Sequence, residues 1–243
     1  MQENKLNEEV RAYLQRTQSC YINGAAQRGE GVAFAVVNPA NDATLVTLNS
    51  ASVAQADQAM LTAKNAFNSW QNMPTLKRGA LLLKLADKLA EHRETLAQLE
   101  SGCSGKTIQL ARMLEIDQSV AFLRYFAGWA GKINGETLDV SLPSFNGEKY
   151  TAFTRRQPLG VVVAIIPRNF SIMIAVWKLD AALVCGCTVV VKPSEYTPLT
   201  PLKLAELATE CGFPPGVLNV VNRLGAELGP GLIKHHDCAD GIF

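Results

Sequence analysis

The chain has 243 residues, 48% hydrophobic and 19% charged, with a formal net charge of +1. This length holds one large domain or two small ones, and the composition is ordinary for a globular core. A net charge this close to zero gives no electrostatic footprint for nucleic acid or for an acidic partner.

Residues 1–20 read as a loose amphipathic leader; Met1, Gln2, Glu3, Asn4 and Lys5 lack the basic-then-apolar order of a signal peptide. Short β-prone pieces follow at Tyr21-Ile22, 34–37 and 44–48, separated by the turn pairs Asn38-Pro39 and Asn41-Asp42. Residues 52–131 are helical in character. Ser52 is placed to cap a helix running to about Trp70. After Pro74-Thr75, the residues Leu81, Leu82, Leu85, Leu89 and Leu96 form a stripe at helical spacing. A third helix is expected over 108–129, its aromatic residues Phe122, Tyr125, Phe126 and Trp129 read as core. Residues 132–157 change period: Gly135, Pro143 and Gly147 punctuate them, and 150–155 alternate as in a half-buried strand. A β-hairpin arm is expected there, pairing within the chain or with a second subunit.

From Leu159 strands and helices alternate. Strands are expected over 161–166, 188–192 and 217–221, with a fourth beginning at Gly241; helices are expected over 172–183, 201–211 and 227–235. The strands are continuous apolar runs, as in a sheet covered on both faces. Such alternation predicts an α/β fold with a parallel, doubly wound sheet, preceded here by the helical segment and the β-arm. The apolar run 181–191 is broken by Gly186 and Thr188 and is far short of a membrane span. A cytoplasmic protein with neither membrane nor nucleic-acid partner is expected.

The six cysteines (20, 103, 185, 187, 211 and 238) show no CxxC pair, so no disulfide framework is expected. Cys185-Gly186-Cys187 reads as small-residue core packing. His235-His236-Asp237-Cys238 is rich in ligand types, but neighbours at a helix end diverge, so it reads as a solvated terminus without a metal.

In doubly wound sheets ligands bind at the carboxyl ends of the strands. The polar chemistry of this sequence falls there: Pro167-Arg168-Asn169-Phe170, then Lys192-Pro193-Ser194-Glu195, then Asn222-Arg223-Leu224-Gly225. With Trp177-Lys178, Thr197-Pro198 and Pro215-Gly216-Val217-Leu218-Asn219, these blocks resemble the aldehyde dehydrogenase superfamily in order and spacing. Upstream, Val37-Asn38-Pro39-Ala40, Leu99-Glu100, Gly105-Lys106 and Arg124-Tyr125-Phe126-Ala127-Gly128-Trp129 fit the same family. The resemblance covers about residues 20–243 and is greatest to phenylacetaldehyde dehydrogenases.

The resemblance implies a Rossmann-like cofactor domain and NAD as cofactor. Ile165, Ile166, Pro167, Arg168, Lys192, Ser194, Glu195, Gly225 and Phe243 match its cofactor-binding positions, with Lys192 and Glu195 on the adenosine ribose. A carboxylate such as Glu195 accepts from two ribose hydroxyls and repels a 2′-phosphate, favouring NAD over NADP. The resemblance makes Asn169 the amide donor to the oxyanion formed when a thiolate attacks an aldehyde. Phe170, Met173 and Trp177, spaced i, i+3, i+7, would line an apolar substrate tunnel suited to an aromatic aldehyde.

The sequence departs from the family at several places. Arg168 stands where the family usually has Trp, Ser171 where it has Pro, and Asn222-Arg223 where it has a Thr-Gly or Pro-Gly pair. Arg223 is expected to strain a glycine-type turn. Neither the cysteine nucleophile after a Gly-Gln-x motif nor the glutamate base of a Glu-Leu-Gly-Gly motif occurs in full; Glu227-Leu228-Gly229-Pro230 comes too early. Cys103 is expected between helices and Cys211 at a helix end, neither activated. The expectation is an N-terminal fragment with an incomplete sheet, inactive alone, working as a homo-oligomer or with a complementing chain. The alternative is a non-catalytic nucleotide-binding or subunit-interaction module. With the fourth strand cut short, an open apolar edge near residues 161–166 is expected to promote association.

Overall fold

The computed structural model describes residues 6–143 and 146–242. The first element is a helix, α1 (Glu8–Leu14), whose N-cap Asn7 accepts the Val10 amide at 2.7 Å. Val10 and Tyr13 pack into a core cluster with Val36, Leu48 and Leu99, so this stretch is built into the fold rather than loose. Strands β1 (Gln18–Ile22) and β2 (Ala25–Arg28) form a hairpin through Asn23-Gly24, both at positive φ (54° and 76°). That is the two-residue turn an Asn-Gly pair favours. Strands β3 (Ala33–Asn38) and β4 (Ala43–Asn49) form a second hairpin.

Helix α2 (Val53–Gln71) opens with a complete capping box between Ser52 and Gln55. Helix α3 (Thr75–Glu91) buries Leu82, Leu85 and Leu89. The leucine stripe does not continue to Leu96 on one helix. His92 (φ −90°, ψ 17°) breaks it, and Leu96 belongs to α4 (Arg93–Ser104), which ends at Gly105 in the left-handed region. Cys103 lies inside α4 and is buried, not between helices.

The third expected helix is composite: α5 (Ile108–Leu110), wide π turns over Ala111–Asp117, and α6 (Gln118–Ala127). Its aromatic stripe is core only in part: Phe122 and Phe126 are half-buried and pack against the main core cluster. Helix α6 buries Ser119, Leu123 and Ala127, while Tyr125 and Trp129 are 58% and 43% exposed. The arm contains β5 (Thr137–Leu138) paired antiparallel with β6 (Ala152–Phe153).

The remaining elements alternate: β7 (Val161–Ile165), α7 (Ser171–Cys185), β8 (Thr188–Lys192), α8 (Leu199–Glu210), β9 (Leu218–Val221), α9 (Gly225–Ile233) and β10 (Cys238–Ile242). The main sheet runs β10-β7-β8-β9-β1-β2. Its first four strands are parallel, and β1 joins β9 antiparallel. The amino-terminal hairpin therefore extends the parallel sheet, which the sequence did not indicate. Strand β10 begins at Cys238, earlier than expected, and stands beside Val161–Ile165 at the sheet edge.

Period-2 alternation sorts the strand side chains. Val162, Ala164, Val189, Val191 and Val220 face a core with α3, α4, α6, α7 and α8. Val161, Val163, Val190 and Val221 face a second core with Ala56, Ala59, Met60 and Ala63 of α2 and Leu228 and Leu232 of α9. Both sheet faces are covered, as runs of Val in parallel strands require. The carboxyl ends of β7, β8 and β9 are consequently left side by side at one end of the sheet.

Candidate functional site

At that end, β7 runs into Ile166-Pro167-Arg168-Asn169-Phe170, and the Ile166 amide donates to the Lys192 carbonyl at 3.0 Å. Ile166 is buried; Pro167, Arg168 and Asn169 are exposed at the head of α7. The Arg168 guanidinium lies 5.5 Å from the centroid of the Tyr196 ring, joining the loop after β7 to the loop after β8.

Lys192 ends β8 and is only 2% exposed. Its Nζ stands 3.3 Å from Glu195 Oε2. Burial lowers the Lys192 pKa, and Glu195 opposes that shift. Ser194 is buried, and its Oγ accepts the Tyr196 amide at 3.3 Å, which shapes the turn carrying Glu195. Gly225 opens α9; a Cβ there would lie 3.4 Å from Lys192 Nζ. The fold thus gathers Lys192, Glu195 and Gly225, which are separated by up to a full strand-helix unit in sequence.

Arg223 does not strain the turn before α9. The only non-glycine residues at positive φ among those described are Asn23 and Asp42. Arg223 instead bonds Glu227 Oε2 through Nε at 2.6 Å and the Ala51 carbonyl through Nη1 at 3.2 Å.

The proposed tunnel face is only partly assembled. Trp177 is 43% exposed and meets Phe122 edge-on, centroids 4.9 Å apart, while Phe170 is half-buried. Met173 is buried. Phe243 lies outside the described residues.

Two groups near these loops carried no sequence assignment. Lys178 donates through Nζ to the Ile165 carbonyl at 2.5 Å and lies 3.5 Å from the Ile242 carbonyl; burial lowers its pKa. Under the Asn169-Phe170 turn, Glu100, Lys106 and Glu115 form a buried ionic cluster. The Lys106 ammonium stands 4.3 Å from the Phe170 ring centroid. Only an i, i+3 or i, i+4 spacing would have signalled such a cluster, and these residues sit on separate segments.

Elsewhere, Cys187 is buried but Cys185 is exposed, so only one of that pair packs in the core. His235, His236 and Asp237 do not diverge: one ligand atom from each lies within 4.8 Å of the others, with the imidazole rings stacked at 4.4 Å. Asp237 also faces Lys64 at 3.8 Å, and its amide donates to His235 Nδ1. No helix among the described residues is long and apolar enough to cross a membrane.

The model of the aldehyde dehydrogenase family matches residues 26–242. Phenylacetaldehyde dehydrogenase of Pseudomonas fluorescens is 46% identical over 210 residues, which are 86% of this chain and 42% of that protein. Cytosolic aldehyde dehydrogenase 1 of Rattus norvegicus is 43% identical, covering 85% of this chain and 41% of its own length. The NAD+ complex of an aldehyde dehydrogenase from Bacillus cereus superposes with a TM-score of 0.92 at 41% identity, over 98% of this chain and 48% of that one. The chain spans about half the length of the curated relatives it matches. On sequence, fold and the placing of its strand-end loops, the chain belongs to the aldehyde dehydrogenase family.

Proposed function

We propose that this chain supplies the NAD cleft and the oxyanion donor of an aldehyde-oxidising enzyme. The observation that carries the reading is the Lys192–Glu195 pair beside Gly225 at the carboxyl ends of the parallel strands. A cation, a carboxylate acceptor and a small residue fit the adenosine ribose of a dinucleotide, with Ile165, Ile166, Pro167, Arg168 and Ser194 framing the cleft. Bound NAD would supply the hydride acceptor. Glu195 would accept from the ribose hydroxyls and repel a 2′-phosphate, and Asn169 would present its side-chain amide to an aldehyde oxygen. Phe170 and Trp177 would offer the aromatic wall, consistent with an aromatic aldehyde.

Turnover is assigned to a larger assembly. Burial raises the pKa values of Cys20, Cys103, Cys185, Cys211 and Cys238, which works against the thiolate that the chemistry needs. Titration calorimetry with NAD and NADP tests the cleft: saturable NAD binding that weakens on Glu195→Ala supports it, and no binding by the folded chain sinks it. Aldehyde-dependent NADH formation by this chain alone would refute the assignment of turnover to a larger assembly.

A second reading concerns association, as a homo-oligomer or with a complementing chain. The β5–β6 arm exposes Leu138 on one face and Phe153 on the other, apolar side chains available to a second subunit. Light scattering that reports a monomer for both the wild type and Phe153→Asp would remove this reading.

A further inference from the structure

Beneath the Asn169-Phe170 turn the fold buries charge that the proposed chemistry does not use. Glu100 of α4 and Glu115 of the π turns are both fully buried, and one ammonium, Lys106, lies between them. Its Nζ stands 3.6 Å from Glu100 Oε1 and bonds Glu115 Oε1. Two buried carboxylates with one cation are costly unless further donors reach the remaining lone pairs. Three donors do. Thr200 Oγ1 of α8 donates to Glu100 Oε2 at 2.7 Å, Ser171 Oγ donates to Glu100 Oε1 at 3.2 Å, and the Met173 amide donates to Glu115 Oε2 at 3.2 Å.

Two of these donors belong to the first turn of α7, directly after Asn169 and Phe170. The Met173 amide is one of the helix-start donors that lack a partner within the helix, so Glu115 caps α7 from another element. Ser171, where relatives usually have Pro, has a hydroxyl to give. Insertions of π turns alter which residues of a helix face its neighbours and recur at functional sites, and Glu115 lies in one.

We propose that Glu100, Lys106 and Glu115 are positioning residues for the Asn169-Phe170 turn: through Ser171 and the Met173 amide, their charge state sets where the Asn169 amide and the Phe170 ring stand. This rests on the reading of Asn169 as oxyanion donor. Burial and then Glu100 raise the Glu115 pKa, and Lys106 opposes them; burial likewise raises Glu100. Cys103 of α4 also faces Glu100, but burial pushes its thiol far up, so it stays protonated near neutrality. The facing groups of α7 and α8, Ser171, Met173 and Thr200, do not titrate there. The carboxylate pair is thus pushed to hold a proton above the ordinary carboxylate range, with Lys106 opposing.

The test is amide NMR of the 15N-labelled chain from about pH 5 to about pH 9. The expected result is a step in the Met173 backbone amide and in the Asn169 side-chain amide with one shared midpoint. Glu115→Gln, which keeps an acceptor oxygen but cannot ionise, should abolish the step at both. Ser171→Ala should displace the Asn169 resonances without removing the step at Met173. An Asn169 side chain that is flat with pH and unmoved by Ser171→Ala overturns the proposal. A purely structural cluster would lower the melting temperature with no pH step at Asn169. Should Glu115→Gln fail to fold, the wild-type titration and Ser171→Ala decide alone. Adding NAD to the same sample separates the two readings, because loss of cofactor binding leaves the pH step at Asn169 intact.

Discussion

Lys178 ties the ends of two strands together: its ammonium donates to the Ile165 carbonyl at 2.5 Å, at the end of β7, and reaches toward Ile242 of β10. A half-buried cation is held there with its pKa lowered, so the fold spends desolvation to keep a charge at the strand ends. The relationship fixes the level at which the β7 loop leaves the sheet, and that loop carries Asn169.

Replacing Lys178 by Met keeps the aliphatic stem and removes the charged donor. Hydrogen bonds to charged groups contribute about 1.5–3 kcal/mol. In a domain of this size that corresponds to a fall in melting temperature of roughly 3–12 °C. Amide exchange at Gly241 and Ile242 should accelerate more than exchange at β8. Uniform acceleration across the sheet would show that Lys178 acts on global stability instead of on the β7–β10 end.

Glu195 offers a test of cofactor choice. Glu195→Gln removes the negative charge and leaves an amide oxygen near Lys192. Loss of a charge-assisted contact of about 1.5–3 kcal/mol weakens NAD binding roughly 10- to 100-fold. The preference for NAD over NADP should narrow as well, because the repulsion of a 2′-phosphate is gone. Calorimetry with both dinucleotides checks this; an unchanged ratio would mean that Glu195 does not face the ribose.

Much of the carboxyl-terminal half was legible because its signals are local. Val161–Ile165 and Thr188–Lys192 are rich in β-branched residues, and the αL glycines Gly186 and Gly212 fall within two residues of the helix ends. What escaped was nonlocal. No glycine or proline marks the break at His92, so Leu96 read as one more leucine of the same stripe. Of the aromatic residues read as core, Phe122 and Phe126 do pack against it while Tyr125 and Trp129 stay exposed, because size and periodicity do not say which face a neighbour covers. At the site, Lys192 and Glu195 are three apart and were visible. Glu100, Lys106 and Glu115 meet only because α4 turns back at Gly105, and their partner donors come from α7 and α8.

Two glycines make a matched pair for backbone effects. Gly216 has φ +83°, and a Cβ there would lie 2.6 Å from the Thr62 carbonyl oxygen of α2. Gly216→Ala meets both left-handed strain and a backbone clash, so it should destabilise by about 1–3 kcal/mol. Gly231 lies inside α9, and a Cβ there would meet nothing within 4 Å. Gly231→Ala should stabilise by about 0.5–1 kcal/mol through helix propensity and unfolded-state entropy. Thermal melts of the two variants should therefore move in opposite directions. A stabilised Gly216→Ala would mean that α2 and the turn before β9 separate readily.

Asp180 makes the pH dependence of folding testable. It is fully buried in α7, where Oδ1 accepts the Ala181 amide at 2.6 Å and Oδ2 has no hydrogen-bond partner among the described residues. Burial raises its pKa from 3.8 to about 8. The native state therefore keeps a proton that the unfolded chain releases between those values. Stability from this group is fully present below pH 3.8 and is lost as pH rises through about 8. Asp180→Asn stays neutral throughout, so its melting temperature should gain on that of the wild type steadily across that interval and exceed it above the upper value. Every other titrating group is common to both chains and cancels in the difference. A difference that stays flat with pH would mean that water or a neighbouring donor reaches Oδ2 and holds the carboxylate charged.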